Sequence, residues 1–267
     1  MIKKILPYLI EASDKINKHF HEISNVKITS KEGMGVLTQA DLESEEILLN
    51  GLNKEFPNDE ILSEEKFYFD KKSIDNFSRN NLWLVDPIDG TNNFLSGFDH
   101  FAISIAYLEN GHLKFGAVYQ PLRSRLYWAQ RGEGAFFHDL SANDSQRALR
   151  GSNILKKKNE LSLITSMCKL VENKYKLEQL YQFNENVRSV RRLGSAALDL
   201  CFVADGVFDG FYDDGLMPWD IAAGALIAKE AGLEIRNYKG AEFDVFGQGI
   251  ITAKKNDIEL FKSILDN

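Results

Sequence analysis

The chain has 267 residues, of which 44% are hydrophobic and 27% are charged, and its formal net charge is -7 at a pI near 5.4. This length can bury a large core, either in one large domain or in two closely packed halves. The negative charge argues against general binding of nucleic acid or anionic membranes, so an anionic substrate would need a local source of positive charge, such as a metal ion. We expect a cytoplasmic protein, because no apolar run has the length of a signal-peptide core or a membrane span. Cys168 and Cys201 lack metal-ligand spacing and are expected as reduced thiols.

The first 65 residues predict two helices and one short strand. Apolar residues at near-helical spacing predict an amphipathic helix over 3–22. The polar stretch Lys27–Leu37 carries two glycines and predicts a mobile loop. A second helix is predicted over 38–56, opened by a capping box of Thr38 and Asp41.

The next stretch predicts an antiparallel meander. A short strand over 61–65 ends in two acids, and an apolar strand over 82–85 follows. Alternating patterns then predict strands over 101–108, 113–120 and 125–129, with a further turn and strand over 131–136. Asn110-Gly111 is a strong hairpin signal. The front half is therefore expected to be α+β with a largely antiparallel sheet.

The rear half alternates strand and helix patterns after a polar stretch over 139–160. The predicted elements are a strand over 161–167, a helix over about 170–183, a strand over 187–191, a helix over 195–204, a strand over 206–212 and a helix over 220–231. We predict two halves, 1–150 and 151–267, the second of α/β type.

Residues 83–94 read Trp-Leu-Val-Asp-Pro-Ile-Asp-Gly-Thr-Asn-Asn-Phe and carry the strongest functional signal. Pro87 favours an extended conformation at Asp86 and ends the strand there. The spacing lets the carboxylates of Asp86 and Asp89 and the Ile88 carbonyl face one point. Taken alone, an ordinary turn would explain the same residues equally well.

Other acids in similar positions favour a metal site. Glu64 and Glu65 end a short apolar strand, while Asp41 and Asp220 each lie at the start of a helix. A solvated strand end and plain helix caps are the alternative explanations. Hard oxygen ligands without His or Cys suit Mg²⁺, or Mn²⁺, better than Zn²⁺.

Carboxylates that hold Mg²⁺ point to phosphoryl chemistry. Two ions about 4 Å apart can activate a water and stabilise the leaving oxygen, with Asp86 as the natural bridge. The backbone N–H groups of Gly90 and Thr91 would face phosphate oxygens where a helix begins. An aspartyl-phosphate mechanism does not fit the acid spacing, and the chain contains no P-loop motif.

Three blocks of sequence resemble the inositol monophosphatase family of Mg²⁺-dependent, lithium-sensitive phosphatases. They are Leu62-Ser63-Glu64-Glu65, the stretch 83–94, and Trp219-Asp220-Ile221-Ala222-Ala223-Gly224 followed by Glu230-Ala231-Gly232. The resemblance extends over nearly the whole chain. It implies a layered α/β/α/β/α sandwich, with an antiparallel sheet in the front half, a mixed sheet in the rear half and the metal site between them.

The resemblance also implies a role for each matching residue. Three metal positions are implied: the first held by Glu64, Asp86 and the Ile88 carbonyl, the second by Asp86, Asp89 and Asp220, and a third, weaker one mainly by Glu64. Thr91 and Asp41 would activate the attacking water, and the N–H groups of Gly90 and Thr91 would bind the phosphate. The loop from Lys27 to Gly35 would close over the site. Substrate hydroxyls would meet Asp89, Gly194, Ser195, Ala196 and Asp213, although inositol-cleaving members usually carry Glu where Asp213 stands.

The leading functional hypothesis is hydrolysis of inositol 1-phosphate or a related polyol or sugar phosphate. Fructose-1,6-bisphosphatase and 3′-phosphoadenosine 5′-phosphate phosphatase activities are the alternatives, and a non-enzymatic regulatory scaffold is a third. The cluster of Arg188, Arg191 and Arg192 could attract a second phosphate, but a surface or dimer contact explains it better. The family resemblance implies a homodimer, and no nucleic-acid or membrane partner is expected.

Overall fold

The computed structural model describes residues 1–25, 28–31, 35–70, 73–141, 144–152, 154–166 and 174–265. The α-helices in these ranges are α1 (Ile2–His21), α2 (Gln39–Glu55), α3 (Glu64–Asp70), α4 (Thr91–Leu95), α5 (Lys174–Asn186), α6 (Ala196–Ala204), α7 (Pro218–Glu230) and α8 (Lys255–Leu265). The strands are β1 (Ile28–Lys31), β2 (Gly35–Thr38), β3 (Glu60–Ser63), β4 (Leu82–Asp89), β5 (Ala102–Glu109), β6 (His112–Gln120), β7 (Arg125–Gln130), β8 (Gly134–Asp139), β9 (Ser145–Leu149), β10 (Ser162–Ile164), β11 (Ser189–Arg191), β12 (Gly210–Asp213), β13 (Glu234–Arg236) and β14 (Ile250–Ala253).

The front half forms a seven-stranded sheet in the order β3-β4-β5-β6-β7-β8-β9. Only the β3–β4 pair is parallel, and the remaining pairs are antiparallel. Every residue of β4 is buried, which agrees with its continuous apolar start. The predicted meander is therefore confirmed, while β9 lies in a stretch where the sequence predicted no strand.

The two faces of the seven-stranded sheet contact different helices. Trp83 and Val85 point to a core shared with α1 and α2, whereas Leu82 and Leu84 point to a core shared with α6 and α7. This division follows from the two-residue period of strands. The sheet is thus covered on both sides by helix pairs.

The rear half contributes a five-stranded mixed sheet in the order β11-β10-β12-β14-β13. Phe211 and Ile250 of this sheet join the core around α6 and α7, and Tyr212 and Ile251 pack in a third core with α5 and α8. The layers therefore run from α1 and α2, through the larger sheet, α6 and α7, and the smaller sheet, to α5 and α8. This is the predicted five-layer sandwich.

The larger sheet ends at Leu149 and the smaller one begins at Ser162. The division of the chain into halves near residue 150 stays a prediction, because α6 and α7 pack against both sheets. No helix within the described ranges combines the length and apolar character needed to cross a membrane.

The polar stretch before α2 differs from its prediction. Residues predicted as a loop form the antiparallel pair β1–β2 instead, with Thr29 opposite Leu37. Glycine and polar side chains lower strand propensity, but backbone pairing between the two segments compensates. Lys27 and residues 32–34 of this predicted lid lie outside the described ranges, as do Cys168 and the start, near residue 170, of the helix predicted over about 170–183.

The sequence assigned no elements after residue 231. The structure places β13, β14 and α8 there, with β14 hydrogen-bonded between β12 and β13. A strand as short as four residues produces little periodic signal by itself.

Candidate metal centre

Three carboxylates from distant parts of the sequence converge at one point. Glu64, Asp86 and Asp220 each offer an oxygen, and these oxygens all lie within 4.8 Å of one another. Glu64 is the first residue of α3, Asp86 lies in β4, and Asp220 lies in the first turn of α7. The sequence-predicted ligands therefore come together although they span more than half of the chain.

Burial makes this cluster of negative charge costly. It raises the pKa of Asp86 well above its usual range, and repulsion from Glu64 and Asp89 raises that pKa further. The pKa of Asp220 is raised in the same way, first by burial and then by Asp89 and Glu64. A bound cation would offset both effects, since an opposite charge favours the ionised carboxylate.

Asp89 is fixed by the N-terminus of α6. Its Oδ2 atom accepts hydrogen bonds from Ser195 Oγ at 2.6 Å and from the Ala197 amide at 2.8 Å. Burial nevertheless raises the pKa of Asp89 to about 7, because it outweighs these two hydrogen bonds. Oδ1 takes no part in either bond, so it can face a cation or a substrate hydroxyl.

The Thr91 hydroxyl lies between two acceptors. Its Oγ1 atom is 3.0 Å from the Ile88 carbonyl oxygen and 3.4 Å from Asp41 Oδ1. The other oxygen of Asp41 accepts from the amide and hydroxyl of Thr38, at 2.8 and 2.5 Å, which confirms the predicted capping box. The cap thus orients Asp41 so that its Oδ1 atom faces Thr91.

Gly90 turns the chain from β4 into α4. Its φ is +96°, in the left-handed region that favours glycine. A Cβ atom at this position would lie 3.1 Å from both the Gly194 and the His100 carbonyl oxygens. The turn therefore brings the amides of Gly90 and Thr91 to the acidic cluster and places them against the segment before α6.

Asn93 joins the two halves of the site. Its Nδ2 atom donates to the carbonyl oxygens of Leu193, at 2.6 Å, and His100, at 2.7 Å. Gly194, at φ +86°, would bring a Cβ atom to 3.2 Å from the same side chain. The segment that carries Ser195 and Ala196 is therefore held beside α4.

These residues surround a cleft of about 170 Å³. Nine of the sequence-predicted site residues line it, namely Glu64, Asp86, Ile88, Asp89, Gly90, Thr91 and Asp220, together with Gly194 and Ala196 on the α6 side. The sequence did not indicate four further lining residues, Val36, Asn92, Ser166 and Leu216. Val36 and Asn92 stand in stretches that the sequence had already singled out, whereas only tertiary packing brings Ser166 and Leu216 to the cleft.

Two predicted substrate contacts are placed differently from the rest. Ser195 is fully buried beneath Asp89, and Asp213 is 1% exposed, with its Oδ1 accepting from the Gly215 amide at 2.9 Å. Neither belongs to the lining of the cleft within the described ranges. The neighbouring Asp214 pairs with Lys176 at 2.7 Å.

A buried His–Asp pair stands behind the cleft and was not predicted. His100 Nε2 lies 2.8 Å from Asp199 Oδ1, and both side chains are almost fully buried. Burial raises the pKa of Asp199 to about 6, although His100 opposes the shift. Ser166 Oγ is 3.4 Å from the other oxygen of Asp199, so this pair contacts one wall of the cleft.

The donor chemistry fits a hard divalent cation. Carboxylates supply the converging oxygens, and no Lys, Arg or His occurs among the described residues that line the cleft. Such a site would repel a phosphate unless a cation were bound. Oxygen-only ligands are those of Mg²⁺, Mn²⁺ or Ca²⁺. The three arginines at 188, 191 and 192 are exposed and lie outside this lining.

Known proteins share this architecture. The chain is 34% identical over 234 residues to the Nus factor SuhB of Pasteurella multocida, covering 86% of this chain and 82% of that protein. It is 34% identical over 238 residues to a fructose-1,6-bisphosphatase/inositol-1-monophosphatase of Thermotoga maritima, covering 87% and 83%. The solved structure of the extragenic suppressor protein suhB from Bartonella henselae matches with a TM-score of 0.88 and 32% identity, over 100% of this chain and 98% of that chain.

The family model for the inositol monophosphatase family matches residues 5–266, nearly the whole chain. The metal-dependent character of that family agrees with the acidic cluster in the cleft. The chain belongs to the inositol monophosphatase family and is a phosphoric monoester hydrolase.

Proposed function

We propose that the protein hydrolyses a small phosphate monoester in a Mg²⁺-dependent reaction, with inositol 1-phosphate as the first substrate candidate. The observation that carries this proposal is the convergence of Glu64, Asp86 and Asp220 within 4.8 Å in an open cleft. Buried carboxylates this close are costly unless a cation neutralises them. The family match supports the same reaction class.

The ligand sets follow the sequence predictions. Glu64, Asp86 and the Ile88 carbonyl would hold one ion, and Asp86, Asp89 and Asp220 would hold another. A third and weaker ion would rest mainly on Glu64. Bound divalent cations would supply positive charge to the phosphate, lower the pKa of a water molecule and stabilise the leaving oxygen.

Thr91 and Asp41 form the proposed proton path. The attacking water would give a proton to Thr91 Oγ1, and Thr91 would pass its own proton to Asp41 Oδ1, which lies 3.4 Å away. The contact with Thr38 supports proton transfer to Oδ1, because the Thr38 amide already donates a hydrogen bond to Oδ2 of Asp41. Glu64 would be a ligand of the ion that holds this water, so it is the third catalytic residue in the proposal.

The substrate phosphate would bind at the amides of Gly90 and Thr91. These amides precede the first backbone hydrogen bonds of α4, which run from Asn93 and Phe94 to the Gly90 carbonyl. Amides at such a turn point outward and attract anions. Substrate hydroxyls would meet Asp89, Gly194 and Ala196 at the cleft. Ser195 and Asp213, which are buried outside the described lining, would complete this set of substrate contacts.

The cleft favours a monophosphate over a bisphosphate. No cationic side chain occurs among its described lining residues, so a second phosphate would lack a counter-charge there. Fructose 1,6-bisphosphate is nevertheless included among the test substrates, because the Thermotoga relative is named as a fructose-1,6-bisphosphatase as well as an inositol-1-monophosphatase. Nucleic acid is outside the proposal because the net charge is -7. We further propose a cytoplasmic homodimer that lithium inhibits, as the family resemblance implies.

A phosphate-release screen tests this function. The panel is inositol 1-phosphate, fructose 1,6-bisphosphate, 3′-phosphoadenosine 5′-phosphate, NADP⁺ and glycerol 2-phosphate, each with Mg²⁺ and with EDTA. We expect the highest kcat/KM for inositol 1-phosphate and no turnover in EDTA. A higher value for the bisphosphate would overturn the substrate assignment, and absence of release from every compound would overturn the reaction itself.

A further inference from the structure

Glu45 is a buried carboxylate that belongs to none of the ligand sets above. It lies on α2, one helical turn after Asp41, and is 8% exposed. Burial raises its pKa, and the nearby charge of Glu64 raises it further. A buried polar side chain is costly unless it is hydrogen-bonded, so helix packing alone does not explain a hydrogen-bond acceptor at this position.

Glu45 contacts the start of α3. The Lys66 amide donates to Glu45 Oε1 at 3.2 Å, and the nearby Glu65 amide also lowers the pKa of this carboxyl group. The first amides of a helix have no partner within the helix and need an acceptor from elsewhere. Here a side chain from another helix provides it.

The start of α3 is also where Glu64 lies. This helix has only 7 residues, so it depends on outside contacts for its position. Whatever fixes the amides of Glu65 and Lys66 also fixes the backbone from which the Glu64 side chain extends. The same face of α2 reaches β4, because Ser44 Oγ donates to the Pro87 carbonyl at 3.3 Å.

We propose that Glu45 is a positioning residue that anchors the first turn of α3, so that the Glu64 carboxylate points toward Asp86 and Asp220 and the site binds its divalent cation tightly. The inference rests on the proposed metal site. Because Glu45 acts through hydrogen bonds to the backbone, the length of its side chain and its acceptor atom matter, and its charge does not.

Two substitutions separate length from charge. Glu45→Gln keeps the length and one acceptor oxygen but removes the charge, whereas Glu45→Asp keeps the charge and shortens the reach by one methylene. Glu46→Gln is the matched control, because Glu46 is the next residue on α2 and is exposed. Mg²⁺ affinity of the full chain is measured by titration calorimetry, with the unfolding midpoint of each variant recorded in EDTA.

We expect Glu45→Asp to weaken Mg²⁺ binding about 10- to 100-fold, the range found when a group that orients a metal ligand is lost. Glu45→Gln should stay within about threefold of the parent protein, and Glu46→Gln should match it. At saturating Mg²⁺, the KM for the phosphate substrate should be unchanged in all three.

Two results would overturn the inference. One is Mg²⁺ binding by Glu45→Asp at the parent affinity. The other is a tenfold or larger loss in Glu45→Gln, which would make the charge the important property and which can be tested even if Glu45→Asp does not fold. Failure of the parent protein to bind Mg²⁺ would instead overturn the proposed metal site, so the two failures are distinguishable.

Discussion

Replacement of Asp89 by Asn should abolish turnover and yet stabilise the metal-free protein. Burial raises the pKa of Asp89 from an ordinary value of 3.8 to about 7. A difference of about 3 pKa units, at about 1.4 kcal/mol per unit, corresponds to about 4 kcal/mol. Asn can keep the hydrogen bonds from Ser195 and Ala197, although loss of their charge-assisted character offsets about 1 kcal/mol. The free energy of unfolding of metal-free Asp89→Asn should therefore exceed that of the parent protein by about 2 to 3 kcal/mol.

The sign of this effect depends on pH. A carboxyl group whose pKa is raised in the folded state destabilises the fold progressively as pH rises from about 4 to about 7, and fully above that. Asn carries no charge at any pH. The stability gain of Asp89→Asn should therefore be largest at pH 8 and small near pH 4, provided that no divalent cation is present.

Urea unfolding in EDTA at pH 8 and pH 5 measures this gain, and phosphate release with Mg²⁺ measures turnover. Asp14→Asn on the exposed face of α1 is the matched control for removal of one negative charge. Added Mg²⁺ should narrow the difference in stability between Asp89→Asn and the parent protein, because the parent protein binds the ion and is stabilised by it. The reasoning about burial is refuted if Asp89→Asn is no more stable than the parent protein at pH 8, and the assigned role is refuted if it keeps full turnover.

The remaining predictions concern the proton path, the packing behind the site and the second metal position. Thr91→Ala should lower kcat about 10²- to 10⁴-fold, which is the range for a lost proton-transfer group. Thr91→Ser keeps the hydroxyl and should retain most of the parent kcat. An unchanged kcat in the alanine variant would contradict the proposed proton path. Gly116→Ala should lower the free energy of unfolding by about 1 to 3 kcal/mol in thermal or urea unfolding, because the new Cβ would lie 2.8 Å from the Ala223 carbonyl oxygen of α7. An unchanged stability would mean that β6 and α7 separate easily. Millimolar lithium should inhibit turnover by competing at the second metal position, and kinetics indifferent to lithium would argue against that occupancy.

Local patterns predicted well wherever a few neighbouring residues decide the structure. The capping box joins Thr38 and Asp41, which are three positions apart, and the helix begins where it predicts. Asn110 and Gly111 both adopt positive φ, at 52° and 75°, as a tight hairpin requires. The acidic cluster was also predicted, since Glu64, Asp86 and Asp220 each stand in a block that resembles the family.

Contacts between distant segments were not predictable from such patterns. Ser195 reaches Asp89 across 106 positions, and His100 reaches Asp199 across 99. Neither pair has a recognisable spacing, because its geometry depends on how α6 packs beside β4. The prediction of a loop where β1 and β2 pair was wrong for a related reason, since this polar and glycine-rich sequence contains no apolar alternation.

Short segments of the sequence specify the chemical groups that this protein has available. Side-chain type, turn geometry and helix caps are local properties, so the acids, the Gly90-Thr91 turn and the Asp41 cap were all identifiable from short segments. Packing between distant segments sets which of these groups meet, how deeply they are buried and which contacts hold them. Burial sets the raised pKa of Asp89, and the Glu45 contact orients the start of α3. Both depend on the solvent exclusion and the distances that packing alone establishes, and no residue carries either property in isolation.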